Sequence, residues 1–97
     1  MASADPVRRR VIVHGRVQGV YFRGTTEAEA AARGVAGWVR NRADGTVEAV
    51  FEGDSDSVAA LVAFCGRGPR HARVARIEVL EEAPEGLRAF RMLSSES

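Results

Sequence analysis

The sequence predicts an α+β sandwich: a ferredoxin-like βαββαβ arrangement, an antiparallel sheet with two helices on one face and a short extra C-terminal strand. Three observations carry this. Two stretches of helical composition each follow a stretch of period-two spacing. A hairpin signal, Ala43-Asp44-Gly45, separates the two halves. At 97 residues the chain has room for one domain only. Right-handed crossovers then place both helices on the same side of the sheet. A domain of this size buries roughly 65% of its unfolded surface, enough for one core between two layers.

Each element has its own signal. Val7 to His14 reads as a strand, with Val7, Arg9, Val11 and Val13 on one face. Gly15 to Val20 (GRVQGV) reads as a loop with a glycine near each end. Phe22 to Arg33 is alanine-rich and helical, and Gly34 stands where a left-handed C-terminal cap belongs. Its apolar stripe is ill-defined, so composition and the stop signal carry this helix. Val35 to Asn41 alternates again, with Val35, Gly37, Val39 and Asn41 on one face. Thr46 to Glu52 is its hairpin partner, turning Val47, Ala49 and Phe51 inward. The second helix is the cleaner one: Asp54 or Ser55 caps it, and Val58, Leu61, Val62 and Cys65 form its stripe. A loop over Gly66 to Arg73 follows. Val74 to Leu80 is a strand with Ala75, Ile77 and Val79 as its inner row, and Leu87 to Leu93 is a short final strand at an edge. Residues 7–93 make the domain, with 1–6 and 94–97 expected as flexible ends.

Composition excludes several function classes. A formal charge of +1, from 14 basic and 13 acidic residues, leaves no net charge to drive binding to nucleic acid or to a membrane. No apolar run approaches the ~18 residues of a membrane span. Met1 to Asp5 lacks the apolar stretch of a signal peptide, so a cytoplasmic location is expected. Cys65 is the single cysteine, which excludes an intrachain disulfide and a cysteine metal cluster. All basic residues are arginines, so Schiff-base chemistry and a lysine phosphate-binding loop are excluded too.

The most informative stretch is Gly15 to Arg23 (GRVQGVYFR). Glycines at 15 and 19 permit positive φ, so the amides of Gly15, Arg16, Val17, Gln18, Gly19 and Val20 are able to converge on one point. The loop feeds into a helix N-terminus, which adds unpaired N–H donors, and Arg23 stands in that helix's first turn. A guanidinium fork beside amide donors suits a tetrahedral oxyanion such as phosphate. A tight strand-to-helix turn with a surface arginine explains the same spacing equally well. The second stretch is Gly37 to Glu48 (GWVRNRADGTVE). Asn41 continues an inward row but is polar and precedes a turn; asparagine in such a place more often satisfies turn backbone. The functional alternative is an amide aimed across the sheet end toward the first loop.

Together GRVQGVYFR and GWVRNRADGTVE resemble the two signature segments of the acylphosphatase family, and element order and length agree over nearly the whole chain. The resemblance implies hydrolysis of the carboxyl-phosphate bond of acyl phosphates, with no cofactor and no metal. It implies that Arg23 and the amides of Gly15 to Val20 grip the phosphoryl group, and that Asn41 positions the attacking water. The implied partners are a small acyl phosphate and inorganic phosphate, the latter as product and competitive inhibitor. Nothing in the pattern requires more than a monomer. Arg70-His71 departs from the family's more usual proline-rich segment and bears on the rim of the site.

The chemistry is consistent with so sparse a site. A carboxylate leaving group, with a conjugate-acid pKa of about 4, departs unprotonated at neutral pH. Phosphoryl transfer then depends on positioning and charge neutralisation. Among the other candidates, Cys65 lies on a helical core stripe and His14 ends a strand. His71 is expected in solvent, and Arg8, Arg9 and Arg10 as a solvated sheet face or edge. Trp38 and Tyr21 are expected to pack or to line the site's rim. An RNA-binding sheet would need aromatic residues on its central strands, where the third strand offers only Phe51, on the inner row.

Overall fold

The computed structural model of the chain describes residues 5–95. Strand β1 (Val7–Arg16) leads to helix α1 (Phe22–Arg33); β2 (Ala36–Asn41) and β3 (Val47–Gly53) form the hairpin. Helix α2 (Ser55–Arg67), β4 (Arg73–Glu82) and β5 (Phe90–Met92) complete the order. The sheet runs β4-β1-β3-β2-β5. All pairs are antiparallel except β2 with β5, which is parallel, so the sheet is mixed rather than antiparallel throughout. The connection after β4 crosses the sheet and delivers β5 to the opposite edge, running with β2.

Both helices pack on one face. Val11, Val13, Val39, Val47, Ala49 and Phe51 point into the core from the strands. Helix α2 buries Val58, Leu61, Phe64 and Cys65; Phe64 takes the fourth buried place, and Val62 of the expected stripe is only partly buried against the core. Helix α1 buries Phe22, Thr26 and Ala30. Thr26 satisfies its hydroxyl on the Phe22 carbonyl at 2.8 Å, which explains why the stripe lacks an apolar signature. Gly34 is the left-handed cap expected of it. Each large side chain fully buried in such a core contributes about 1.5–3 kcal/mol.

Strand β4 departs from its expected facing. Its register against β1 shifts between His14 and Gly15, so that Ala75 is skipped and Val74, with Ile77, packs on the core. Ala75 is exposed, and Val79, at the sheet edge, is 45% exposed. A bulge moves facing by one residue, which period-two reading cannot anticipate.

The open face of the sheet corrects another expectation. Arg8 is buried rather than solvated, because Glu52 on β3 and Glu82 on β4 lie directly opposite it. Its Nη1 meets Glu52 at 2.7 Å and its Nε meets Glu82 at 2.8 Å. Arg10 bridges Glu82 and Glu48, and Arg40 also reaches Glu48, at 2.9 Å. The Arg10 and Arg40 guanidinium groups each lie over the Trp38 ring, 5.6 and 5.5 Å from its centroid, so Trp38 packs on this face and not at the site's rim. Glu52 further accepts the N–H groups of Glu85, Gly86 and Leu87 at 2.9–3.1 Å, pinning the connection to β5. Burial works to raise the Glu52 pKa. Those amide donors and Arg8 outweigh it and hold the carboxyl below its ordinary range. Phe51 is fully buried against Phe90, their rings 5.8 Å apart. No helix among the described residues is long and apolar enough to cross a membrane.

Candidate active site

The β1–α1 connection starts later than its glycines suggest. Gly15 and Arg16 belong to β1, paired with Val74 and Arg73. Gly15 has φ +130, and a Cβ there would stand 2.2 Å from the Arg73 carbonyl oxygen. Its lack of a side chain thus serves close approach to β4. Gly19 is different: φ is +75 and nothing lies within 4 Å of the Cβ position. It turns the loop in open space, beside the cavity. Between them Val17 is only 1% exposed and anchors the loop in the core.

Gln18 ties this loop to the hairpin. Its Nε2 donates to the Arg42 carbonyl at 2.8 Å and to the Thr46 carbonyl at 2.9 Å. Those two carbonyls already close the turn, accepting from Gly45 N–H and Arg42 N–H respectively. Asp44 stiffens it further by accepting from the Thr46 N–H and hydroxyl. These bonds, the hydroxyl's first, hold the Asp44 carboxyl below its ordinary range. The hairpin carrying Asn41 at the end of β2 is therefore locked to the loop preceding α1.

The first turn of α1 has no side-chain cap and no acidic residue. Its N-cap residue, Tyr21, is left-handed with φ 65 and ψ 24, held by Thr25, whose N–H and hydroxyl both donate to the Tyr21 carbonyl. Arg23 points from this turn and donates from Nη1 to the Leu93 carbonyl at 2.9 Å. Asn41 Nδ2 approaches Ser95 Oγ at 3.5 Å. Both residues line one cavity of about 650 Å³, which also touches Val17, Gly19 and Val20 of the loop. The sequence-selected residues thus divide: Arg23, Asn41, Val17, Gly19 and Val20 meet at the cavity, Gln18 braces it from behind, and Gly15 and Arg16 lie in the strand.

Other residues fall differently from expectation. His71 is exposed, as its loop position implies, but it also lines the cavity, together with Met92 of β5. The departure at Arg70-His71 bears on the rim of the site, where His71 stands, whereas no local signal marks Met92, which reaches the cavity from a distant part of the chain. His14 pairs with Glu78 across the sheet at 2.6 Å and is not part of the lining. Cys65 is fully buried, and burial pushes its thiol up to about 12, which leaves it inert near neutral pH. Among the described residues no cluster of metal-ligating side chains occurs.

The split βαβ sandwich, with one cavity at its first strand-to-helix connection lined by an arginine, places the chain among small α+β domains of ferredoxin-like topology. Comparison with known proteins narrows the class. The family model described as Acylphosphatase matches residues 9–92. An acylphosphatase of Rubrobacter xylanophilus is 54% identical over 94 residues, covering 95% of this chain and 86% of that protein. The crystal structure of acylphosphatase from Bacillus subtilis superposes with a TM-score of 0.86 at 40% identity, covering 90% of this chain and 98% of the other. The HypF structure of T. kodakarensis gives 0.78 at 31% identity over 94% of this chain, but only 12% of that much longer one. The chain belongs to the acylphosphatase family, hydrolases that act on acyl phosphates.

Proposed function

We propose that the cavity hydrolyses the carboxyl-phosphate bond of a small acyl phosphate by direct in-line attack of water. The observation that carries this reading is the convergence of Arg23 and Asn41, from different elements, on one cavity beside an uncapped helix start. Arg23 takes two phosphoryl oxygens through its guanidinium fork, exchanging its bond to the Leu93 carbonyl for a charged partner. Amides of the loop from Val17 to Val20, together with the first turn of α1, supply further donors; Gly15 and Arg16, paired with β4, do not.

Asn41 carries no titratable group, so it orients rather than deprotonates. Its carbonyl accepts a hydrogen bond from the water and aims a lone pair at phosphorus. The water oxygen forms the new P–O bond while the bond from phosphorus to the acyl oxygen breaks. The carboxylate leaves with that electron pair, and the water's surplus proton passes to solvent or to a phosphate oxygen. No general acid is needed for such a leaving group. Inorganic phosphate, the other product, competes for the same donors.

The test is turnover of benzoyl phosphate beside p-nitrophenyl phosphate, both in EDTA. The expected result is hydrolysis of the first alone, competitively inhibited by inorganic phosphate. Ester hydrolysis at a comparable rate, or a requirement for added metal, would overturn the mechanism.

A further inference from the structure

The cavity is far larger than a phosphoryl group, and the rest of its wall has a chemistry of its own. Tyr21 is 86% exposed and is the one non-glycine residue among those described with positive φ. A left-handed aromatic residue costs conformational energy, and this ring recovers little of it by burial. Its ring edge lies near Gly24, where a Cβ would stand 3.8 Å from Tyr21 Cδ1. Met92, 47% exposed, lines the same cavity from β5, and Val20 is a half-buried part of its wall. Few large apolar side chains of the described chain are exposed, and two of them border the place where the acyl end of a substrate must lie.

We propose that Tyr21, Met92 and Val20 form an acyl-group subsite that selects acyl phosphates with an apolar, aromatic or branched acyl group; this rests on the proposed reaction at the same cavity. The phosphoryl group is held by Arg23 and the amides, and the acyl group then projects outward over Val20 between the Tyr21 ring and the Met92 thioether. An aromatic acyl group meets a ring and a polarisable sulfur there. A methyl group reaches neither, and a second carboxylate in the acyl group finds no cation among these three residues. Tyr21 is thus held in an unfavourable backbone conformation, by the two Thr25 bonds, where its ring serves recognition.

The experiment compares kcat/KM for benzoyl, acetyl and succinyl phosphate, with the inhibition constant of inorganic phosphate measured alongside. Wild type is expected to favour benzoyl phosphate by at least about tenfold over both others. Tyr21→Asn tolerates the left-handed conformation and should bring that ratio close to unity while phosphate inhibition holds. Tyr21→Phe should keep the ratio, and Met92→Ala should lower it by a smaller factor, which also covers a failure of the loop variant to fold. Removal of the strained aromatic residue should also raise the melting midpoint of Tyr21→Asn. A wild-type preference for the succinyl compound, or ratios unmoved in Tyr21→Asn and Met92→Ala, overturns the subsite. Wild type inactive on all three compounds overturns the reaction itself, a different outcome.

Discussion

The two helices begin in opposite ways. Helix α2 starts on Asp54, whose carboxylate accepts the Ser57 N–H at 2.8 Å and the Ser57 hydroxyl at 2.9 Å, with Asp56 in its first turn. Helix α1 starts on Tyr21 with no side-chain cap and no acid, and places Arg23 where α2 places negative charge. Both starts leave the same unpaired amides and the same partial positive charge. At α2 the protein satisfies them with its own carboxylate. At α1 no side chain caps them, Arg23 adds to their field, and under the proposed function they receive an anion from outside. Whether a helix start is a structural joint or a receptor is decided by who supplies the negative charge.

The largest expected effect comes from removing the cation at the open start. Arg23→Ala should lower kcat/KM for benzoyl phosphate about a thousandfold, affecting kcat and KM together, and weaken phosphate inhibition. A variant retaining tight phosphate inhibition would show that the amides alone make the receptor. Asn41→Ala comes next: kcat should fall about a hundredfold with KM close to wild type, as steady-state kinetics report. Unchanged turnover would remove Asn41 from the reaction.

A smaller effect is expected from the brace between loop and hairpin. Gln18→Ala should reduce kcat about tenfold, since the loop and Asn41 lose their common reference. Gln18→Glu sharpens the point. Its carboxylate would face two carbonyl oxygens, so activity should return only as pH falls and the acid becomes a donor again. A pH profile parallel to wild type would refute the positioning role.

The smallest effect belongs to the closed helix start. Asp54→Ala should lower the melting midpoint by a few degrees and leave the kinetics at the other helix untouched. The Ser57 N–H first, and then its hydroxyl, hold the Asp54 carboxyl below the ordinary range. Its stabilising contribution is therefore complete above about pH 4, the unfolded value, and is lost as pH falls through the lower folded one. The variant should be correspondingly less sensitive to acid than wild type in that window.

Several features of the site were legible locally. Arg23 stands four residues after Gly19 in a strand-to-helix turn, and Asn41 is a polar residue at the end of an inward row. The Gln18 brace was not legible, because its acceptors are backbone carbonyls of a hairpin remote in the chain. Met92 was hidden for the same reason, whereas the segment carrying His71 was tied to the rim by the family resemblance alone. Arg8 illustrates the converse: its charge argued for solvent, but two strands placed carboxylates opposite it.

Composition, periodicity and turn chemistry determined by themselves the order of elements, the core face of the hairpin and the left-handed cap at Gly34, because those depend on residues a few places apart. Tertiary structure decided the strand register at the β4 bulge, the parallel fifth strand and the walls of the cavity. Each is a meeting of segments whose separation along the chain leaves no local trace, and only the packing of one sheet against two helices brings them within bonding distance.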